Sequence, residues 1–175
     1  MIRLSKTLSY RIVRMASQST ILSPSQRALI PNSKMDIDSV NRLTPLDPSS
    51  LAPLVPHLLT WIQEPNWPIA FPIVELLRKH PSIVVEPVRK VLRDEAGEGD
   101  DGAWKSNCLN ALVIEMEKGY QMQLKEELVR MAREPTKEEL EWDTADVAKD
   151  ALGELGITVE SSSNTPPKDL DSESK

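Results

Sequence analysis

The chain has 175 residues, one cysteine and a formal net charge of −6. That length allows one domain with tails, and a single cysteine excludes an internal disulfide or a thiolate metal cluster. No stretch approaches the roughly 18 apolar residues of a membrane span, so no transmembrane segment is expected.

The charge is unevenly placed. Residues 1–35 hold six bases and no acid, so all 27 acids and the other fifteen bases give residues 36–175 a balance of −12. A body this acidic repels a phosphate backbone, and no nucleic-acid partner is expected.

Residues 1–34 read as a targeting segment. Leu4, Leu8, Ile12 and Met15 share one helical face, and Arg3, Lys6 and Arg14 lie on the other. Serine is frequent and acid absent, the composition of a mitochondrial presequence, which points to the matrix. The alternatives are a cytoplasmic protein with a disordered basic tail, or a true start at Met15 or Met35. Residues 35–48 read as a linker, residues 49–157 as the folded domain and residues 158–175 as a disordered tail rich in Ser, Pro and charge.

Within the domain, Asp47 and Pro48 are cap and first-turn residues for a helix over about Pro53 to Gln63, with Pro56 delaying or bending it. The turn Glu64-Pro65-Asn66 is short enough to force an antiparallel partner. Asn66 should cap that second helix, Pro68 should lie in its first turn and Pro72 should bend it. It should end at Arg78-Lys79-His80 before Pro81. A third helix follows from Ser82 to about Asp94, then an acidic loop. The fourth runs from Ala103 to about Glu117, closed by Gly119 as a left-handed C-cap. The fifth runs from Tyr120 to about Arg133. Thr136-Lys137-Glu138-Glu139 has the capping-box pattern and opens a sixth helix, which runs to Leu155 or breaks near Trp142-Asp143.

Three tryptophans mark a repeat. Trp67, Trp104 and Trp142 stand 37 and 38 positions apart. Nine and ten residues beyond each lie Leu76 and Leu77, Val113 and Ile114, and Ala151 and Leu152. An apolar helical segment precedes each. A period near forty with two helices per unit predicts an all-α fold, a short HEAT- or armadillo-like solenoid of about three antiparallel helix pairs, each introduced by a buried indole.

The stretch WIQEPNWPIAFPIVELLRKH followed by GAWKSNCLNALV resembles the domain of unknown function 5071 family, a HEAT-like helical repeat. The matching residues are Trp61, Glu64, Asn66, Trp67, Pro68, Asp101, Trp104 and Lys105. The resemblance spans about Leu46 to Leu155 and implies the fold. It carries no activity.

Catalytic constellations are missing from the sequence. His57 and His80 lack metal-ligand spacing, Cys108 falls on the core stripe, and neither a GxSxG elbow nor a phosphate-cradling loop is present. No catalytic, metal or cofactor residue is assigned. The sequence points to a non-catalytic protein-interaction module for a basic protein partner. Its candidate contact residues are Trp61, Glu64, Asn66, Trp67, Asp101, Trp104 and Lys105. The alternative is a small enzyme on the same scaffold that uses carboxylates such as Glu64, Glu75 or Asp101.

Overall fold

The protein, seen in a computed structural model, is described over residues 21–97 and 99–159. Among these residues every regular element is helical and no strand occurs. Residues 1–20 and 160–175, most of the expected targeting segment and tail, lie outside the described residues.

Folded structure begins earlier than the sequence suggests. Helix α1 (Pro24–Arg27) carries a capping box on Ser23. Leu22 is buried, and Leu29 and Ile30 pack against the core. Helix α2 (Ile37–Leu43) stands where a linker was expected. Asp36 caps it by accepting from the Ser39 amide, and Val40 and Leu43 enter the core.

The next segment winds almost without interruption through α3 (Pro48–Leu51), a 3-10 turn (Ala52–Leu54), α4 (Val55–Leu59) and a second 3-10 turn (Thr60–Ile62). Asp47 caps it as expected. Pro53 and Pro56 lack amide hydrogens, which accounts for the alternation of helix types here.

Helix α5 (Ala70–Arg78) starts later than expected. Asn66 does not cap it: its amide and side chain both donate to Glu64 Oε1, at 3.1 and 2.8 Å. Pro72 is therefore the third residue of α5, where its missing amide would have had no helical partner, and the expected bend loses its cause. Helix α6 (Pro81–Leu92) contains Pro87.

Helix α7 (Gly102–Cys108) opens on Asp101, whose Oδ1 accepts from the Trp104 amide at 2.9 Å. It widens into a π-turn (Leu109–Val113) and stops there, short of Glu117. Gly119 is not a left-handed cap but lies inside α8 (Lys118–Gln121). A 3-10 turn (Met122–Leu124) leads to α9 (Lys125–Arg133).

Helix α10 (Lys137–Glu141) has the expected capping box between Thr136 and Glu139. The chain breaks at Asp143, whose φ of 52° is left-handed, and α11 (Thr144–Glu154) follows up to Gly156 at φ 75°.

Helix α4 packs on α6 and α6 on α8, while α5 meets the π-turn after α7 and that turn meets α11. One apolar core runs from Leu22 to Leu152.

The repeat offsets hold better than their origin. Leu76, Leu77, Val113, Ala151 and Leu152 are all buried. The three indoles, however, have three different environments. Trp104 is 3% exposed, Trp67 is partly buried, and Trp142 is 52% exposed. Trp142 does not introduce a core layer. It falls just past the C-terminus of α10, where the backbone turns away from the helix.

Candidate functional site

The seven candidate residues fall into two groups joined by a few hydrogen bonds. The first is a corner between α4 and α5. The Trp61 and Trp67 rings are tilted at 60° with centroids 5.7 Å apart, close to the edge-to-face arrangement aromatic pairs prefer. Both are partly exposed. Phe71, one helical turn beyond Trp67, is 69% exposed. Glu64 and Asn66 do not reach outward as a pair but close the turn between the helices.

The second group is buried and holds the first in place. The Trp104 indole N–H donates to the Leu59 carbonyl at 2.9 Å. Asn107 Nδ2 donates to the carbonyls of Ile62 and Gln63, at 3.1 and 2.9 Å. These carbonyls belong to the end of the α4 segment, where helical partners run out. Helix α7 therefore caps the strand of chain that presents Trp61.

Lys105 follows Trp104 and is 1% exposed. Its ammonium lies 2.8 Å from Asp94, 2.9 Å from Asp100 and 2.7 Å from Glu139. Arg130 grips Glu139 with two parallel hydrogen bonds of 2.7 and 2.5 Å and donates to the Leu92 carbonyl at 3.2 Å. The Thr136 amide adds a fourth donor to Glu139 at 2.9 Å. Residues from α7, α9, α10 and the loop after α6 thus meet at one charge centre, in which Lys105 and Glu139 are buried and Asp94, Asp100 and Arg130 reach solvent.

The electrostatics follow from this crowding. Burial alone would raise the Glu139 carboxyl, but the bonds from Arg130, Lys105 and Thr136 outweigh it and hold the group at about 2. Burial likewise works against the Lys105 ammonium, yet Asp94, Glu139 and Asp100 raise its pKa above its ordinary value. For Asp94 burial dominates and the carboxyl is raised, despite Lys105 beside it. The arrangement neutralises charge. It shows a cation already seated among three carboxylates.

A second buried acid, Glu127, is held by ion pairs alone, with neither oxygen accepting a hydrogen bond among the described residues. Glu127 is 3% exposed and lies 2.5 Å from Arg93 and 3.4 Å from Arg89. The π-turn is served in a similar way: Gln121 Nε2 donates to the Val113 and Ile114 carbonyls, each at 3.0 Å, and Arg78 donates to Ala111 at 2.8 Å.

The other sequence candidates are placed as follows. Cys108 is fully buried, and burial pushes its thiol well above its ordinary value, so its thiolate is suppressed. Glu75 is not buried but pairs with Arg78 at 3.2 Å. His57 is exposed. Among the described residues no group of three or more His, Cys, Asp or Glu is set to hold a metal ion. No described helix is long and apolar enough to cross a membrane.

Sequence reasoning missed Asp94, Asp100 and Glu139 as partners of Lys105, and Arg130 as the second cation on Glu139. Only the capping box at Thr136 signalled that Glu139 turns back toward backbone.

These features define an all-α domain whose charged residues are partly internal. A family model described as Domain of unknown function (DUF5071) matches residues 29–152. The chain belongs to that family. No curated protein matches it.

Proposed function

We propose that the protein is a non-catalytic interaction module for a basic protein, built as a short HEAT- or armadillo-like solenoid of about three antiparallel helix pairs. The solenoid reading is supported by the order of helix contacts, first helix on first and second on second. The interaction reading draws on one observation above others. The buried ionisable groups are consumed in structural pairs centred on Lys105 and Glu139, while much of the acid excess is left on the surface.

The half-exposed corner of Trp61, Trp67 and Phe71 supplies aromatic anchors on rigid helices, the residue class that dominates binding hot spots. Trp104 and Asn107 hold that corner, so Asp101, Trp104 and Lys105 support contact without making it.

A second reading, a small enzyme that uses carboxylates, is favoured by the raised carboxyl of Asp94. Against it, the Lys105 ammonium sits 2.8 Å from that carboxyl, where a reacting atom would have to be.

An affinity capture from native cells tests the interaction reading. It predicts one specific protein whose retention weakens with added salt; retention that ignores salt contradicts a basic partner. The composition of residues 1–34 extends the proposal to the mitochondrial matrix. A reporter fused behind those residues should enter mitochondria, and a reporter that stays in the cytoplasm rejects that part.

A further inference from the structure

Asp94 follows α6 in a conformation that suits glycine. Its φ is 61°, in the left-handed region. The Glu95 amide donates back to the Lys90 carbonyl at 2.8 Å, and the Asp94 amide donates to the Val91 carbonyl at 3.1 Å. These two bonds make a Schellman cap, whose left-handed position is usually glycine and sometimes asparagine. Here it is an acid, and its Cβ strains a backbone that glycine would leave relaxed.

The carboxylate is under a second constraint. Its Oδ1 lies 2.8 Å from the Lys105 ammonium, which Asp100 and Glu139 share at 2.9 and 2.7 Å. Arg130 is the other cation, bound to Glu139. Two cations thus face three carboxylates, which leaves one negative charge in excess. Arg130, Lys105 and Thr136 secure Glu139 as an anion. At Asp94 burial comes first and raises the carboxyl; Lys105 opposes it, and Asp100 and Glu139 add to it. On the α6 side, Arg93 is engaged by Glu127 and Glu126. The Asp94 side chain is 31% exposed, so a proton reaches it without unfolding. Glycine would relieve the backbone and asparagine the charge, so the turn itself requires neither constraint.

We propose that Asp94 is a proton-operated joint: with a proton on its carboxyl the centre is balanced and the end of α6 stays docked on Lys105, and as an anion it loosens that end from α7. The protonated carboxyl still accepts from the ammonium through its carbonyl oxygen. A carboxyl raised in the docked state stabilises docking below its folded value, and that contribution is lost as pH rises through it. The joint does not depend on the interaction reading, and its sign is opposite to that of Glu139.

Amide hydrogen exchange on the full chain, read at Glu95 and corrected for the intrinsic rate, tests this between about pH 5 and pH 8. Protection should fall by about threefold or more as pH rises. Asp94→Asn, which suits the left-handed position and carries no charge, should hold the low-pH protection throughout. Asp100→Asn removes the excess negative charge and should displace the fall to lower pH. Asp143→Asn, at the other left-handed acid, should leave the wild-type profile in place.

Protection that is flat or rises with pH in the wild-type chain overturns the joint. So does a fall that survives in Asp94→Asn, which places the titrating group elsewhere, or one that Asp143→Asn abolishes. If Asp94→Asn lowers protection at every pH, the carboxylate is a plain structural partner of Lys105 and the proposal is rejected.

Discussion

Trp104 and Trp142 stand one repeat apart in the sequence and at opposite extremes of environment. Trp104 is 3% exposed, with its indole N–H bonded to the Leu59 carbonyl. Trp142 is 52% exposed and rests on Gly102. The difference lies in backbone position. Trp104 is the third residue of α7, just after the Asp101 cap, so it faces the 3-10 turn of the preceding pair. Trp142 follows the last residue of α10, at a left-handed break. The same residue at the same spacing holds the fold together in one place and stands half in solvent in the other.

The charges divide in the same way. Lys105 and Glu139 are internal and matched; Lys149 and Asp146 form an exposed pair on α11. Breaking the internal set should have the largest effect. Lys105→Met strips the ammonium from three carboxylates and should cost about 3–5 kcal/mol in urea unfolding. Lys149→Met should change stability by less than about 0.5 kcal/mol. Comparable losses from the two would erase the contrast.

Gly102 probes the seam between the two tryptophans. A Cβ there would lie 2.3 Å from the Glu138 carbonyl oxygen, a backbone atom that cannot rotate away. Gly102→Ala should therefore push α10 from α7 and cost about 1–3 kcal/mol, read from the denaturation midpoint. It should also disturb Trp142 more than Trp104.

The internal acid has a pH signature. Glu139 titrates at about 2 when folded against an ordinary 4.5, so its stabilisation is full above the ordinary value and lost as pH falls through about 2. Lys105, raised above its ordinary 10.5, contributes stability that is lost only when pH climbs past its folded value. Asp94, also raised, works against Glu139: its contribution favours acid and fades as pH rises through its folded value. Glu139→Gln should thus flatten the acid limb of stability against pH, measured from urea midpoints between about pH 2 and pH 6. An unchanged acid limb would remove Glu139 from the account. Trp142→Ser should also cost little, within about 1 kcal/mol of wild type by thermal melting.

Much of the fold was legible because it rests on local patterns. The apolar offsets from each tryptophan located buried Leu77, Val113 and Leu152, and hydroxyl–acid spacing located the cap of α10. The helix at 37–43 was hidden because Ile37, Val40 and Leu43 supply barely two turns of pattern. The Lys105 centre was hidden for a different reason. Its partners lie on other elements, up to 34 residues away, and no short-range spacing encodes such a meeting. Trp142 was misassigned because its burial was read from the side-chain period alone, although a break near Trp142-Asp143 was one of the two courses expected for this helix. Asp143 adopts positive φ there with no glycine to announce it.

Indole hydrogen exchange tests the contrast most directly, since each tryptophan gives its own ring N–H resonance in a nitrogen-15 spectrum of the full chain. The account predicts that the Trp104 indole proton, buried and bonded to Leu59, exchanges only on unfolding, whereas the Trp142 proton, on a ring half in solvent, exchanges far faster. Fast exchange at Trp104, or equal protection at both, would contradict it.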